Sequence, residues 1–193
     1  MTARRERRAW RRWSWVLGLA ALAWSGAPPS RAAEGRAESG KGGAARAAFE
    51  RFRGLEGTWR GESTRGWAED VFFKPIAAGS AVMETSFDAH PNETMVTMFV
   101  LDGDVLDLTH YCVAKNQPHL RATAFDEDGR TVTFTFVDGG NLASRDKGHM
   151  DKAVFRFEDA DHVTTRWTWY QDGKETWMEE IRMRRKKSVS PRE

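Results

Sequence analysis

The sequence predicts an all-β domain, either an up-and-down antiparallel barrel or a sandwich, and three observations support this prediction. Apolar and polar residues alternate through most of the chain after Gly57, as in residues 131–137, where threonines alternate with valine and phenylalanine. Asp-Gly pairs, which favour tight hairpin turns, occur at 102–103, 128–129, 138–139 and 172–173. No helical period of apolar residues interrupts the alternating part of the chain.

The first 32 residues have the order of a secretory signal peptide. Six arginines precede an uncharged, mostly apolar run from Trp13 to Trp24, and small residues and prolines follow this run. It is about a dozen residues long, which is short of the roughly 20 that a membrane-spanning helix needs. We therefore expect cleavage after Ala27 or Ala32, a periplasmic or secreted protein, and no stable membrane insertion of the mature chain. The sequence leaves open whether export follows the general or the twin-arginine route.

The charge of the predicted mature chain argues against nucleic-acid binding. Residues 1–32 hold seven of the 30 basic residues and one of the 28 acidic residues, so their removal leaves 23 basic and 27 acidic groups. A net negative protein repels the phosphate backbone of nucleic acids. The single cysteine, Cys112, excludes an intrachain disulfide, so the domain must be stable through packing alone.

The segment between the leader and the alternating part is predicted to be mostly unstructured. Residues 33–48 are small, polar and glycine-rich, which indicates a flexible linker. From Phe49, apolar residues at three-residue spacing predict one or two helical turns. We therefore expect the folded domain to span residues 49–187 and residues 188–193 to form a disordered tail.

The alternating part divides into about ten short strands at regular spacing, a pattern typical of barrels and sandwiches. The predicted strands lie near residues 57–63, 67–74, 79–88, 93–101, 104–113, 118–126, 130–137, 149–158, 162–171 and 174–184. The single long insert without strand character covers residues 138–148.

The strand that begins at Val105 supplies the first candidate site residues. Its alternate positions Leu106, Leu108, His110 and Cys112 form the more apolar set, so we expect this set to face the interior. A neutral imidazole in a barrel interior would be a good donor, acceptor or metal ligand. The alternative is a core histidine whose hydrogen bonds are satisfied locally, and Cys112 is equally compatible with simple core packing.

Four further candidates follow from position. Asn116 and Gln117 lie in the turn after this strand and could offer hydrogen bonds at a barrel mouth, or serve only as turn residues. His149 follows the insert and could converge on the same ligand, or be an ordinary exposed histidine. Glu179 alternates with apolar residues, and an inward carboxylate must be paired, protonated or hydrated.

Tryptophans on the last two strands could line a pocket or fill a core. Trp167 and Trp169 share one face of their strand, and Trp177 lies on the next strand. Small barrels are filled by such side chains, whereas larger ones keep a ligand cavity, so a count of ten strands favours a cavity.

The start of the first strand resembles a known family. Gly57-x-Trp59 is similar to the entry motif of the lipocalin-like (calycin) barrels. The segments LTHYCVAKNQP, GHM and DADHVTTRWTWYQDGK and the basic last strand resemble an exported bacterial family of unknown function with that fold. The resemblance covers residues 49–187. It implies a calycin-like barrel in which Trp59 closes one end while Arg182 or Arg184 packs across the indole. Nitrobindin-like barrels, which bind heme through a histidine, are a more distant resemblance.

Besides a purely structural or interaction domain, for which a filled barrel would be the evidence, three functions are compatible with these features. The first is an exported protein that holds a small, largely apolar molecule inside the barrel and orients it through His110, His149, Asn116 and Gln117. The second is a heme or metal binder that uses His110 or His149, although the spacing of these histidines matches no known metal motif. The third is an enzyme with His110 as general base, for which the sequence supplies no nucleophile motif.

Overall fold

The computed structural model describes residues 31–87, 94–126 and 128–187. In these residues one α-helix precedes ten β-strands. The elements are α1 (Arg31–Gly54), β1 (Gly57–Ser63), β2 (Ala68–Ile76), β3 (Ala81–Phe87), β4 (Thr94–Asp102), β5 (Val105–Tyr111), β6 (Gln117–Phe125), β7 (Thr131–Gly140), β8 (His149–Phe157), β9 (His162–Gln171) and β10 (Lys174–Arg185). Residues 1–30 of the predicted signal peptide and the predicted tail at 188–193 lie outside the described residues.

The strands form one closed antiparallel barrel in which each strand pairs with its neighbours in sequence, and β10 pairs with β1. This confirms the predicted up-and-down barrel of ten strands and excludes the sandwich. Asp172 and Gly173 both have positive φ angles, 52° and 82°, between β9 and β10. They form the tight hairpin that the Asp-Gly signal predicts.

The Asp-Gly pair at 138–139 does not form a turn, so the prediction of a hairpin turn at this position is wrong. Asp138 pairs with His119 and Gly139 pairs with Pro118, so β7 continues to Gly140. A bulge in the pairing of β6 with β7 shifts the register before this point and accommodates the glycines within the ladder. The insert between β7 and β8 is therefore residues 141–148.

The helix is longer than the one or two turns expected from the sequence, and it covers the segment predicted to be a linker. Ala45 and Ala48 are buried in the same core as Phe49, Phe52 and Leu55. Alanine has the highest intrinsic helix propensity, and its small side chain allows the helix to approach the barrel closely. Tertiary packing of this face stabilises a helix that its glycine-rich composition alone would not.

The C-terminal part of α1 fills one end of the barrel. The Phe52 ring stacks on Phe99 with ring centroids 4.1 Å apart and meets Phe155 and Phe157 edge to face at 5.1 Å. Phe134 completes this aromatic cluster. We call this the sealed end of the barrel, and it contains the strand ends nearest to α1.

Trp59 closes the sealed end together with an arginine, as the resemblance implies, but the arginine is Arg185 rather than Arg182 or Arg184. The Arg185 guanidinium carbon lies 4.3 Å from the centroid of the fully buried Trp59 ring. Arg185 also donates to the carbonyl oxygens of Gly54 (2.9 Å) and Glu56 (2.7 Å). Arg182 and Arg184 alternate with the inward residues of β10 and are exposed, so their side chains lie on the outer face of the barrel.

None of the helices among the described residues has the length and apolar character to cross a membrane.

Candidate functional site

The end of the barrel opposite to α1 is hollow. It contains a partly open cavity of about 550 Å³, and we call this the hollow end. The described lining residues are Arg65, Trp67, Glu69, Glu84, Ser86, Met95, Thr97, His110, Cys112, Val113, Ala114, Met150, Thr165, Trp167, Trp169, Trp177, Glu179, Ile181 and Met183. A cavity of this size suits a small organic molecule.

The hollow end arises because inward side chains change in character along each strand. On β5, Leu106 and Leu108 lie in the sealed core, whereas His110 faces the cavity. On β4, Phe99 fills the core, whereas Thr97 lies against the cavity. The same alternation therefore builds a solid half from large apolar residues and a hollow half from polar residues and tryptophans.

His110 is buried in the wall of the cavity. Its ring is 3% exposed, and its Nδ1 atom lies 3.0 Å from the hydroxyl oxygen of Thr97. The ring of Trp167 packs against it with centroids 5.0 Å apart. Burial lowers the pKa of His110 from 6.5 to about 4, because the charged ring would lose its hydration. The imidazole is therefore neutral near pH 7 and serves as a hydrogen-bonding group rather than a cation.

Glu84 is a site residue that the sequence analysis did not single out. It lies on β3, is buried, and accepts a hydrogen bond from the Thr97 hydroxyl. Burial raises the pKa of its carboxyl group to about 7, and the Thr97 hydrogen bond opposes this rise. The alternation Val82, Glu84, Ser86 would have placed it inside, since Val82 is a core residue.

Two further carboxyl groups face the same cavity. Glu179 on β10 accepts a 2.5 Å hydrogen bond from the hydroxyl of Ser63 on β1. Glu69 on β2 is buried as well, and the sequence analysis did not identify it. Glu179 thus lines the same cavity as His110, and Glu69 and Glu84 line it from β2 and β3.

Four tryptophans supply most of the aromatic lining. Trp169 and Trp177 stack with an interplanar angle of 7° and centroids 5.9 Å apart. The Arg65 guanidinium lies 4.6 Å above the Trp177 ring. Trp167 lies deeper, beside His110, and Trp67 is a lining residue that the sequence analysis missed. Trp167, Trp169 and Trp177, for which the sequence left open pocket lining or core filling, are among the residues that line this cavity.

The remaining sequence candidates lie apart from the cavity lining, with one exception. Cys112 lines the cavity at the β5–β6 turn. Asn116 donates from Nδ2 to the carbonyl oxygen of Gly148 (2.8 Å) and so ties this turn to the insert. Gln117 pairs with Gly140 at the start of β6. Asn116 and Gln117 therefore shape the end of the barrel rather than contact the cavity directly.

His149 does not converge with His110 on the cavity. Its Nδ1 atom donates to the carbonyl oxygen of Lys147, and its Nε2 atom accepts from Arg145. Its ring lies between Phe136 and Tyr170, with centroid distances of 4.5 and 5.5 Å. A register shift between Met150 and Lys152 places Met150, rather than His149, in the cavity wall. Both ring nitrogens of His149 are thus used within the fold.

In the described part of the chain, no three histidine, cysteine, aspartate or glutamate residues are grouped so that they could hold a metal ion. The chemistry that the cavity does offer is hydrogen bonding by buried neutral and acidic groups beside aromatic faces.

No family model matches the sequence. No curated protein matches it either. Among solved structures, the chain is similar to a protein of unknown function from the DUF3598 family of Nostoc punctiforme, with a TM-score of 0.48 and 11% sequence identity. The match covers 69% of this chain and 48% of the other, so the chain spans about half the length of that protein.

Proposed function

We propose that this protein binds a small, largely apolar molecule in the hollow end of its barrel. The observation that carries the proposal is the cavity of about 550 Å³ among four tryptophans, in a barrel whose other half is packed solid. Apolar surface buried there contributes roughly 25 cal/mol per Å² to binding. The neutral His110 and the buried carboxyl groups would orient a polar end of the molecule.

Binding of a neutral fluorescent probe tests this proposal. N-phenyl-1-naphthylamine should bind the full-length protein saturably and with increased emission, and mass spectrometry under native conditions should detect any molecule that co-purifies. Ser86→Trp places an indole in the cavity, and it should weaken probe binding at least tenfold.

The matched control is Thr85→Trp. Thr85 precedes Ser86 on β3, so it lies on the opposite face of the strand, and it pairs with the exposed Phe72. This variant should bind the probe like the parent protein. Equal probe affinity in both variants, or no saturable binding by the parent, would refute the proposal. Circular dichroism of each variant checks that the barrel has formed.

A heme or metal function is a second candidate, and one observation favours it. The Nε2 atom of His110 is buried in the cavity wall and has no hydrogen-bonding partner among the described residues, so it could ligate an iron. The three carboxyl groups of the wall disfavour the anionic propionates of heme. Hemin titration that produces no Soret shift, together with elemental analysis that finds no metal, would eliminate this candidate.

Catalysis by His110 is a weaker proposal. A general base works best when its pKa lies near the working pH, whereas burial lowers the pKa of His110 to about 4. The Thr97 hydroxyl does orient the ring, as a catalytic hydrogen bond would. We therefore favour binding over an enzymatic function.

We also propose that the protein is exported and that it is related to the lipocalin-like barrels. The order of basic, apolar and small residues in 1–32 supports cleavage and a periplasmic or secreted location. The Gly57-x-Trp59 motif and the contact of Arg185 with Trp59 support a lipocalin-like relation. The N-terminal sequence of protein recovered from the periplasm or the medium tests the cleavage site.

A further inference from the structure

Three polar residues form a row across neighbouring strands in the cavity wall. Glu84 on β3 pairs with Thr97 on β4, and Thr97 pairs with His110 on β5. The Thr97 hydroxyl lies between the other two side chains and bonds to both. At the two ends of the row, Glu84 Oε2 and His110 Nε2 are buried and have no hydrogen-bonding partner among the described residues.

The single proton of the Thr97 hydroxyl fixes the direction of hydrogen bonding along the row. An ionised Glu84 can only accept, so Thr97 donates its proton to the carboxylate. The Thr97 oxygen must then accept from Nδ1–H of His110. A neutral imidazole carries one proton, which leaves a lone pair on Nε2. When Glu84 is ionised, both unpartnered atoms are therefore acceptors, and a ligand that satisfies them must donate at least two hydrogen bonds.

The rest of the lining favours a positive charge on that donor. Tryptophan faces attract cations, and the carboxyl groups add negative potential. The titratable or charged lining residues are Arg65 in the β1–β2 turn, Glu69 on β2, Glu84 on β3, His110 on β5, Cys112 in the β5–β6 turn and Glu179 on β10. Among the described lining residues Arg65 alone is basic, and it stacks on Trp177. An anionic ligand would find no other cation there.

We propose that the cavity selects a protonated primary or secondary amine, whose ammonium group donates to Glu84 and His110 while its apolar part lies among the tryptophans. This inference rests on the proposed function, because it names the ligand class of the same cavity. It predicts selection by charge and by hydrogen-bond donors, which a purely apolar pocket would not show.

The proposal implies a pH dependence of binding through proton linkage. Since burial raises the pKa of Glu84 to about 7, the carboxyl group is partly protonated at neutral pH. An ammonium group requires the ionised form, so binding should release protons below pH 7. Alkylamines stay protonated up to about pH 10, as lysine does. The affinity for an amine should therefore rise from pH 6 to pH 8.

Calorimetry with four probes of equal chain length tests the proposal on the full-length protein at pH 8. The probes are octylammonium, octyltrimethylammonium, 1-octanol and octanoate. Octylammonium should bind at least tenfold more tightly than each of the others, since octyltrimethylammonium carries the charge without N–H donors. Equal or tighter binding of any of the three would overturn the inference.

Two variants locate the recognition. Glu84→Gln should weaken octylammonium binding at least tenfold. The exposed Glu62→Gln on β1 is the matched control and should bind octylammonium like the parent protein. An unchanged octylammonium affinity in Glu84→Gln would overturn the inference. If N-phenyl-1-naphthylamine binds but octylammonium does not, only the amine proposal fails. If no probe binds, the proposed function fails as well.

Discussion

At the scale of single residues, burial moves the pKa values of two cavity groups in opposite directions. The pKa of Glu84 is raised to about 7, and the pKa of His110 is lowered to about 4. Both shifts have the same cause, because a low-dielectric interior disfavours a charge of either sign. Near pH 5.5 both groups are therefore neutral, and the charge that Glu84 and His110 place in the hollow end is at its minimum.

The raised pKa of Glu84 makes its contribution to stability pH-dependent. The folded state binds the proton more tightly than the unfolded state, so the contribution is full below pH 4.5 and is lost as pH rises through 7. The free energy of unfolding of Glu84→Gln, relative to that of the parent protein, should therefore increase by about 2 to 3 kcal/mol as the pH is raised from 5 to 8. Urea denaturation across this range measures it. A difference that does not change with pH would show that Glu84 titrates normally.

Arg185 should matter more for stability than its two exposed neighbours. Arg185→Ala removes the contact over Trp59 and the donors to Gly54 and Glu56, and we expect a loss of about 2 to 3 kcal/mol in the free energy of unfolding. Arg182→Ala loses one exposed ion pair with Glu180 and should cost under about 1 kcal/mol. Equal losses in denaturant titrations would contradict this assignment.

The sequence allows some inward residues to be identified, and bulges and turns limit the rest. His110, Trp167 and Glu179 follow a regular alternation, and all three line the cavity. Glu84 follows such an alternation with Val82 and Ser86 too, so the pattern could have identified it as it identified Glu179. His149 is displaced by the register shift after Met150, which the residue pattern does not reveal.

At the scale of elements, α1 acts as the closure of the sealed end. Phe52→Ala should destabilise the protein by about 3 to 5 kcal/mol, because it leaves a cavity inside the aromatic cluster. Arg51→Ala, one residue earlier on the exposed face, should change stability by less than about 0.5 kcal/mol. Thermal and urea unfolding of the two variants compare them. A small effect of Phe52→Ala would mean that α1 is not part of the core.

The insert between β7 and β8 supports the cavity wall through Gly148. A Cβ atom at this position would overlap the Trp169 indole, so Gly148→Ala must displace Trp169 or the insert. We expect a loss of about 1 to 3 kcal/mol in stability and weaker binding of N-phenyl-1-naphthylamine. Gly43→Ala is the control, because a Cβ there meets nothing within 4 Å, and it should stabilise α1 slightly. Unchanged probe binding by Gly148→Ala would show that the insert does not support the binding site.

The strands could be predicted more fully than the helix. Alternation and Asp-Gly turns identify all ten strands to within a few residues, because each strand has one buried face. The helix depends on the small residues Ala45 and Ala48, which become informative only when packed on a barrel end. Local composition favours a linker there, and long-range packing determines the outcome.

At the scale of the whole molecule, one barrel combines a solid half and a hollow half. The aromatic cluster around Phe52 fills the half that α1 covers, and the opposite half keeps the cavity. The number of strands predicts that a barrel has room inside. It does not predict how far a helix reaches into that room, and therefore the size of the cavity follows from the structure and not from the pattern.

Fluorine NMR of the full-length protein labelled with 5-fluorotryptophan tests the hollow half most directly. Of the five tryptophans in the described residues, Trp67, Trp167, Trp169 and Trp177 line the cavity, and Trp59 is buried at the sealed end. Single Trp→Phe variants assign the resonances. On titration with octylammonium or N-phenyl-1-naphthylamine, the four cavity resonances should shift saturably while that of Trp59 stays fixed. Unshifted cavity resonances at high concentrations of both probes, or an equal shift of Trp59, would contradict a binding site in the hollow end.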